Sequence, residues 1–331
     1  MPAMRTALPV VLAAAVLALV APLTGQAGAP APVADPVVHA LKVTVLSTML
    51  ADLQGVGEWG FAALVEADGY RLLFDTGARP ETVRQNAREL QVDLAGVRDV
   101  LLTHNHDDHT GGLLTLRKDV MGANREALAR LYVGKGLLYP RIDENGQRNT
   151  NTQRMTADYE ALGGVVTEID QPRQIAPGVW LTGPVRRIHP ERNWSGSYKV
   201  ETPEGVVEDT VQEDTSLVVN TGDGLVVITG CGHAGIVNTM EQARRMLPGK
   251  PVRTVVGGMH LFAASDDALA WTAGKMKAFG VQHVLGAHCT GIEAVFRIRE
   301  GVGLPRAACL VGAVGASFDL AGGISPGRLA Q

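Results

Sequence analysis

The chain has 331 residues, 46% of them hydrophobic and 19% charged, a composition ordinary for a soluble globular protein and long enough for one large domain or two small ones. Its formal net charge is −4 and it holds no basic run, which argues against nucleic acid as a partner. Thirty-nine glycines against 5% aromatics point to many turns and close backbone approaches, as in an active site built from loops.

Taken in order, residues 1–29 read as a secretory signal peptide. Arg5 carries the positive charge, residues 7–23 are almost wholly apolar, and small residues follow at Gly25, Ala27, Gly28 and Ala29. The apolar run is shorter than the ~20 residues a spanning helix needs. Export is therefore expected, to the periplasm or the medium, with no membrane association after cleavage. Residues 30–37 form an Ala/Pro-rich leader, and residues 38–331 one domain.

Residues 38–49 alternate and are β-branched, as in a strand. Residues 60–66 and 70–74 flank an Asp-Gly turn and predict a hairpin ending in Asp75-Thr76-Gly77. A helix is expected over 80–90, a strand over 97–102, and a short helix from Leu113. Helices are also expected over 125–131 and 156–162, separated by a polar surface excursion over 140–154. Strands follow at 165–169 and 179–182. Residues 183–214 show no clear period and read as a loop able to cover a site, with Arg186, Arg187 and Arg192 available to an anionic substrate.

Residues 215–220 and 225–229 make a second hairpin. Strands at 252–256 and 281–285 then alternate with helices at 236–247, 266–279 and 292–300. A closing strand is expected over 308–314 and a frayed tail over 322–331. Two mixed sheets packed face to face with helices outside, a four-layer αββα sandwich of the α/β class, fit this order.

The chemistry is concentrated behind the strand at 97–102, in Thr103-His104-Asn105-His106-Asp107-Asp108-His109. Neutral imidazole and carboxylate are ligands for Zn²⁺ and similar divalent ions. On an extended backbone His104 and His106 point to one side, because side chains alternate with period two. Asp108 and His109, at the turn that follows, can face the same cavity from another angle. Further along, His233, His260 and His288 each sit just past an apolar strand and before a helix. Asp75, at the end of a strand, could accept the free ring N–H of a ligating histidine and fix its tautomer. His39 and His283 read as structural, and His189 as a possible substrate contact. The three cysteines, Cys231, Cys289 and Cys309, are too few for a disulfide framework, and none is expected to be bridged.

His104-x-His106-x-Asp108-His109 resembles the HxHxDH signature of the metallo-β-lactamase fold superfamily, whose architecture is αββα. Thr229-Gly230-Cys231-Gly232-His233, Gly257-Gly258-Met259-His260 and His288-Cys289-Thr290-Gly291 resemble one subfamily, the 7,8-dihydropterin-6-methyl-4-(β-D-ribofuranosyl)-aminobenzene-5′-phosphate synthase-like metal-dependent hydrolases. The resemblance implies two adjacent metals. His104, His106 and His233 would hold the first, and Asp108, His109 and His288 the second. Asp75 would support these ligands, and His260 would stand near the open coordination positions. Cys231 occupies the place where many members carry a bridging Asp, so its thiol is either a ligand or a packed small residue.

The function expected is hydrolysis of a small ester, lactone or phosphoester with one or two Zn²⁺. Asp108 would orient the attacking water and His260 would donate to the developing oxyanion. Iron or manganese suits the same ligands. The alternatives are a β-lactamase, an iron-dependent redox protein, and a ligand-binding protein without turnover.

Overall fold

The computed structural model describes Pro2 and residues 35–328. Apart from Pro2, the expected signal peptide lies outside the described residues, as do positions 30–34 of the leader. The first half runs β1 (Leu41–Ser47), β2 (Ala62–Ala67), β3 (Tyr70–Phe74), α1 (Thr82–Glu89), β4 (Asp99–Leu102), α2 (Asp107–Thr110), α3 (Leu113–Met121), β5 (Arg130–Gly134), β6 (Arg141–Ile142), β7 (Arg148–Asn149), α4 (Asn151–Ala161) and β8 (Val165–Ile169). The second half runs β9 (Arg173–Ala176), β10 (Val179–Leu181), β11 (Lys199–Thr202), β12 (Gly205–Glu208), β13 (Leu217–Thr221), β14 (Gly224–Thr229), α5 (Ile236–Met246), β15 (Val252–Gly257), α6 (Asp266–Phe279), β16 (His283–Gly286), α7 (Ile292–Val302), β17 (Cys309–Val311), β18 (Ser317–Asp319) and β19 (Gly323–Ser325).

These strands form an eight-stranded sheet, β19-β18-β1-β2-β3-β4-β5-β8, a seven-stranded sheet, β17-β16-β15-β14-β13-β10-β9, and a four-stranded one, β12-β11-β6-β7. The two large sheets stack because their strands are apolar on both faces. In β14, Val226 and Ile228 point into a core shared with Val43, Val65, Phe74 and Leu101 of the first sheet. Val227, between them, faces the other way and packs with Val237, Met240 and Met276 of the helices. Leu73 and Leu102 likewise face outward, against Val83, Leu113 and Leu116 of the helices over the first sheet. Helix, sheet, sheet, helix is the expected αββα order. Burying each such side chain contributes ~1.5–3 kcal/mol.

Within the large sheets, β3, β4, β5 and β8 run parallel, as do β14, β15, β16 and β17. Such strands deliver their carboxyl ends, and the loops after them, to one edge of the sheet, where sites of open α/β sheets form.

Several expectations need correction. No helix spans 125–131: the chain turns there, with Leu128 at φ +49°, and enters β5. The Leu128 N–H donates to Val97 O at 2.7 Å. Leu131 and Val133 face the outer cluster and Tyr132 the inner one, so this strand is apolar on both faces and its spacing mimics a helix. The stretch 140–154 is no simple surface excursion, since it holds β6, β7 and the start of α4, and Arg141 is buried. The helix expected at 156–162 begins five residues earlier, at Asn151.

The long loop at 183–214 contains the β11–β12 hairpin, which pairs with β6 (Val200 opposite Arg141) and completes the small sheet. The closing strand is only Cys309–Val311. The chain then crosses to the first sheet, where β19 pairs with β18, so the tail is ordered through Ser325 rather than frayed from 322.

Candidate metal centre

Five strand ends meet at one place. β3 leads to Asp75, β4 to His104, β14 to Cys231 and His233, β15 to His260 and β16 to His288. Glycines allow the approach of the two sheets. A Cβ on Gly230 would lie 2.2 Å from Thr103 Oγ1 and 2.6 Å from Asp75 Oδ2, so only glycine fits there. Asp75, His260 and His288 all have φ near +50° (55°, 51° and 48°), a conformation that costs a side-chain-bearing residue ~1–3 kcal/mol and clusters at functional sites.

His104, His106 and His233 offer ring nitrogens that all lie within 4.8 Å of one another. The outer nitrogen of two of these rings is already engaged. His104 Nδ1 lies 2.9 Å from Thr103 Oγ1, and His233 Nδ1 lies 2.5 Å from the Asn193 carbonyl oxygen, to which it can donate. Their Nε2 atoms are buried and have no protein partner, an arrangement costly in a folded protein unless something else binds them. Burial, followed by the charges of neighbouring histidines, holds His104 and His233 well below the usual imidazole range; burial lowers His106 to about 4. Neutral rings with a fixed tautomer are what a metal requires.

Asp108, His109, Cys231 and His288 form a second group within the same 4.8 Å limit. His109 Nε2 is 3.1 Å from Cys231 Sγ, and His288 Nε2 is 3.2 Å from Asp108 Oδ2. Asp75 stands behind this group, wholly buried. Its Oδ1 accepts from the Thr103 N–H (2.8 Å), while Oδ2 accepts from Thr103 Oγ1 (2.9 Å) and from His109 Nδ1 (2.7 Å). Burial alone would lower His109, but the Asp75 charge and hydrogen bond outweigh it and raise the ring to about 9. Burial pushes Asp108 upward, yet His288, His109 and His106 outweigh that and hold it well below the carboxylate range. The set suits a divalent cation: it offers oxygen, nitrogen and sulfur around one point.

Cys231 also belongs to a third group, with His260 and Cys289. All three cysteines are free and buried. His260 packs its ring 4.5 Å from that of His233 and 5.3 Å from that of Phe262, with Nδ1 buried and unpartnered. His39 is exposed, and His283 packs on Phe318, away from the cluster.

A cleft of about 800 Å³ opens beside the histidines, lined by His106, His233, His260, Arg192, Trp194, Tyr198 and Trp271 among others. The 183–214 stretch supplies one wall. Glu191 caps α5 by accepting from the Val237 and Asn238 N–H groups (3.0 and 2.8 Å), and burial raises its carboxyl to about 7. Trp194 donates to Glu208 at 2.9 Å, and the guanidinium groups of Arg187 and Arg192 lie 5.4 and 5.3 Å from its ring. Arg187 turns inward to donate to the Thr210 and Val211 carbonyls, so of the three arginines expected to meet an anion only Arg192 lines the cleft. His189 packs its ring on Trp271, a residue of the cleft wall.

Sequence reasoning missed the support beneath the HxH loop. Arg141 pairs with Asp209 (2.8 Å) and Glu213 (2.7 Å), and Glu213 Oε1 accepts from the Asn105 N–H between the two histidines. Burial raises Asp214 to about 7, and its Oδ2 accepts from the Ala234 N–H beside His233. These partners are far apart in the chain and carry no motif. Thr103 and Cys289 had a signal, since each adjoins a candidate ligand.

The family model of the metallo-beta-lactamase superfamily matches residues 60–250, more than half of the chain. The 7,8-dihydropterin-6-methyl-4-(beta-D-ribofuranosyl)-aminobenzene-5'-phosphate synthase of Methanocaldococcus jannaschii is 30% identical over 244 residues, which cover 71% of this chain and 81% of that protein. An uncharacterized protein of the same archaeon is 28% identical over 73% of this chain and 87% of its own length. Among solved structures, Tm1679, a metal-dependent hydrolase of the beta-lactamase superfamily, superposes with a TM-score of 0.68 at 27% identity, covering 85% of this chain and 98% of that one. Sequence match, relatives and architecture agree with the strand-end histidines, and the chain belongs to the metallo-β-lactamase superfamily.

Proposed function

We propose that this protein is an exported zinc hydrolase acting on a small ester, lactone or phosphoester. The observation that carries the reading is the pair of adjoining ligand groups, His104–His106–His233 and Asp108–His109–Cys231–His288, the first of which reaches a cleft large enough for a small molecule through His106 and His233. Two Zn²⁺ ions held there would make hydroxide available near neutral pH and polarise the scissile carbonyl or phosphoryl group.

The chain's own groups supply the rest. Asp108, kept ionised by the histidines around it, orients the attacking water and accepts from it. His260, held at a strained backbone angle on the cleft wall, donates to the developing oxyanion. Trp194, Tyr198 and Trp271 give the cleft aromatic faces for the remainder of the substrate, and Arg192 adds a positive charge at its edge. Asp75 fixes His109 so that Nε2 points inward.

The test is turnover on panels of esters, lactones and phosphodiesters by the zinc-loaded protein. His104→Ala should lose activity by about a hundredfold or more, beyond what removing an outer partner costs; full turnover in that variant would sink the reading. A second reading, a condensing reaction like that of the archaeal synthase, is favoured by the 30% identity over most of that enzyme. Product formation that needs two organic substrates and consumes no water would select it.

A further inference from the structure

Cys289 has no part in the function proposed above, yet it lies against the second ligand group. Its Sγ is 3.2 Å from Cys231 Sγ, and both side chains are buried. Cys231 Sγ is in turn 3.1 Å from His109 Nε2, so one sulfur is shared between a metal position and a neighbouring thiol. Room for the pair depends on Gly258, where a Cβ would stand 2.9 Å from Cys289 Sγ and 2.1 Å from the Gly230 carbonyl oxygen. The third cysteine, Cys309, is packed among the helix-side residues with its sulfur 3.5 Å from the Val295 carbonyl oxygen. That is ordinary behaviour for a buried thiol, and it makes the Cys231–Cys289 contact the exception.

We propose that Cys231 and Cys289 are an oxidation site: the two thiols close to a disulfide, and closure withdraws Cys231 from the second metal position. The metal consequence rests on the two-metal reading of the centre. A disulfide needs the sulfurs at ~2.05 Å, so they must approach by ~1 Å from their present contact. The oxidant is hydrogen peroxide, and His260, which groups with the two sulfurs, is the member of that group that lines the cleft.

One sulfur attacks a peroxide oxygen, the O–O bond breaks, and the leaving hydroxide takes that thiol's proton to become water; a sulfenic acid remains. The second sulfur then attacks it, the S–S bond forms, the S–O bond breaks, and hydroxide leaves with the second thiol's proton as another water. Two thiols are oxidised to one disulfide and one peroxide is reduced to two waters. His260, which has a ring nitrogen within 4.8 Å of both sulfurs, is placed to relay the protons. Thiolate, not disulfide sulfur, is the metal ligand. The His104–His106–His233 group contains neither cysteine and keeps its ion.

The test treats the metal-loaded full chain with equimolar hydrogen peroxide, then maps its peptides and counts its metal. A Cys231–Cys289 linked peptide lighter by two hydrogens is expected, with Cys309 still titratable as a thiol. Metal should fall from two ions per chain to one, and a thiol reductant should reverse both changes. Cys289→Ser should keep two ions through the same dose and yield no linked peptide. Absence of the linked peptide, sulfinic acid in its place, or a linked protein that still holds both ions would each overturn the proposal. Fewer than two ions before treatment would count against the two-metal reading, and the oxidation site would then stand or fall on the linked peptide alone.

Discussion

The Asp75–His109 contact shows how much single side chains decide here. A wholly buried carboxylate accepts three hydrogen bonds, from Thr103 N–H, Thr103 Oγ1 and His109 Nδ1, and so aims the opposite ring nitrogen at Cys231 and Asp108. Asp75→Ala should weaken metal binding at the second position by about 10–100-fold, as removal of an outer partner usually does. Competition with a chromophoric chelator reads that change, and unchanged affinity would show that Asp75 serves the turn alone.

The same contact gives a pH signature. In metal-free protein His109 is raised from 6.5 to about 9, so the stability it contributes is fully present below pH 6.5 and is lost as pH rises through about 9. Chemical denaturation of metal-free protein at pH 6 and pH 10 should show lower stability at the higher pH, and Asp75→Asn should flatten the difference. His104, His106 and His233 resist protonation whereas His109 favours it. On acidification the second position should therefore release its ion before the three-histidine one, a sequence that metal counting along a pH series would check.

At the scale of elements, the site is a consequence of parallel strands ending together. β3 and β4 in one sheet and β14, β15 and β16 in the other each place a candidate residue within three residues of their last strand position or the turn after it. This was readable in the chain because each strand is a short apolar run followed by a glycine-rich turn and a polar ligand-type residue. The close approach between sheets was not readable, since it depends on pairs such as Gly230 and Thr103 that are 127 positions apart (230 minus 103). Gly230→Ala should destabilise the fold by about 1–3 kcal/mol through overpacking and disturb Asp75. A melting temperature equal to wild type would contradict that reading.

Where the chain departs from expectation the reason is tertiary. Leu128 to Val133 has apolar residues at helical spacing, but pairing with β4 turns the run into a strand buried on both faces. In the β11–β12 hairpin β12 is exposed throughout and β11 buries only Val200, and the hairpin gains its place by pairing with β6.

At the largest scale, two sheets share one core and the candidate site residues gather along one edge of the pair. The αββα order and the HxHxDH cluster were both legible, because hydrophobic period and ligand spacing are local properties. The buried Arg141–Asp209–Glu213 cluster was not, because long-range ion pairs leave no period in the chain. Arg141→Ala would leave two buried carboxylates without their cation and should cost about 3–5 kcal/mol of stability. Denaturant titration reads the loss, and a change within error would place the cluster nearer to solvent than its burial indicates.

The central claim, that these side chains form a binuclear zinc centre, is tested most directly by elemental mass spectrometry of protein purified without added metal. Two zinc ions per chain are expected, falling to about one in Asp108→Ala and with the first position lost in His104→Ala. Protein that contains no metal and takes up none on titration would contradict the claim.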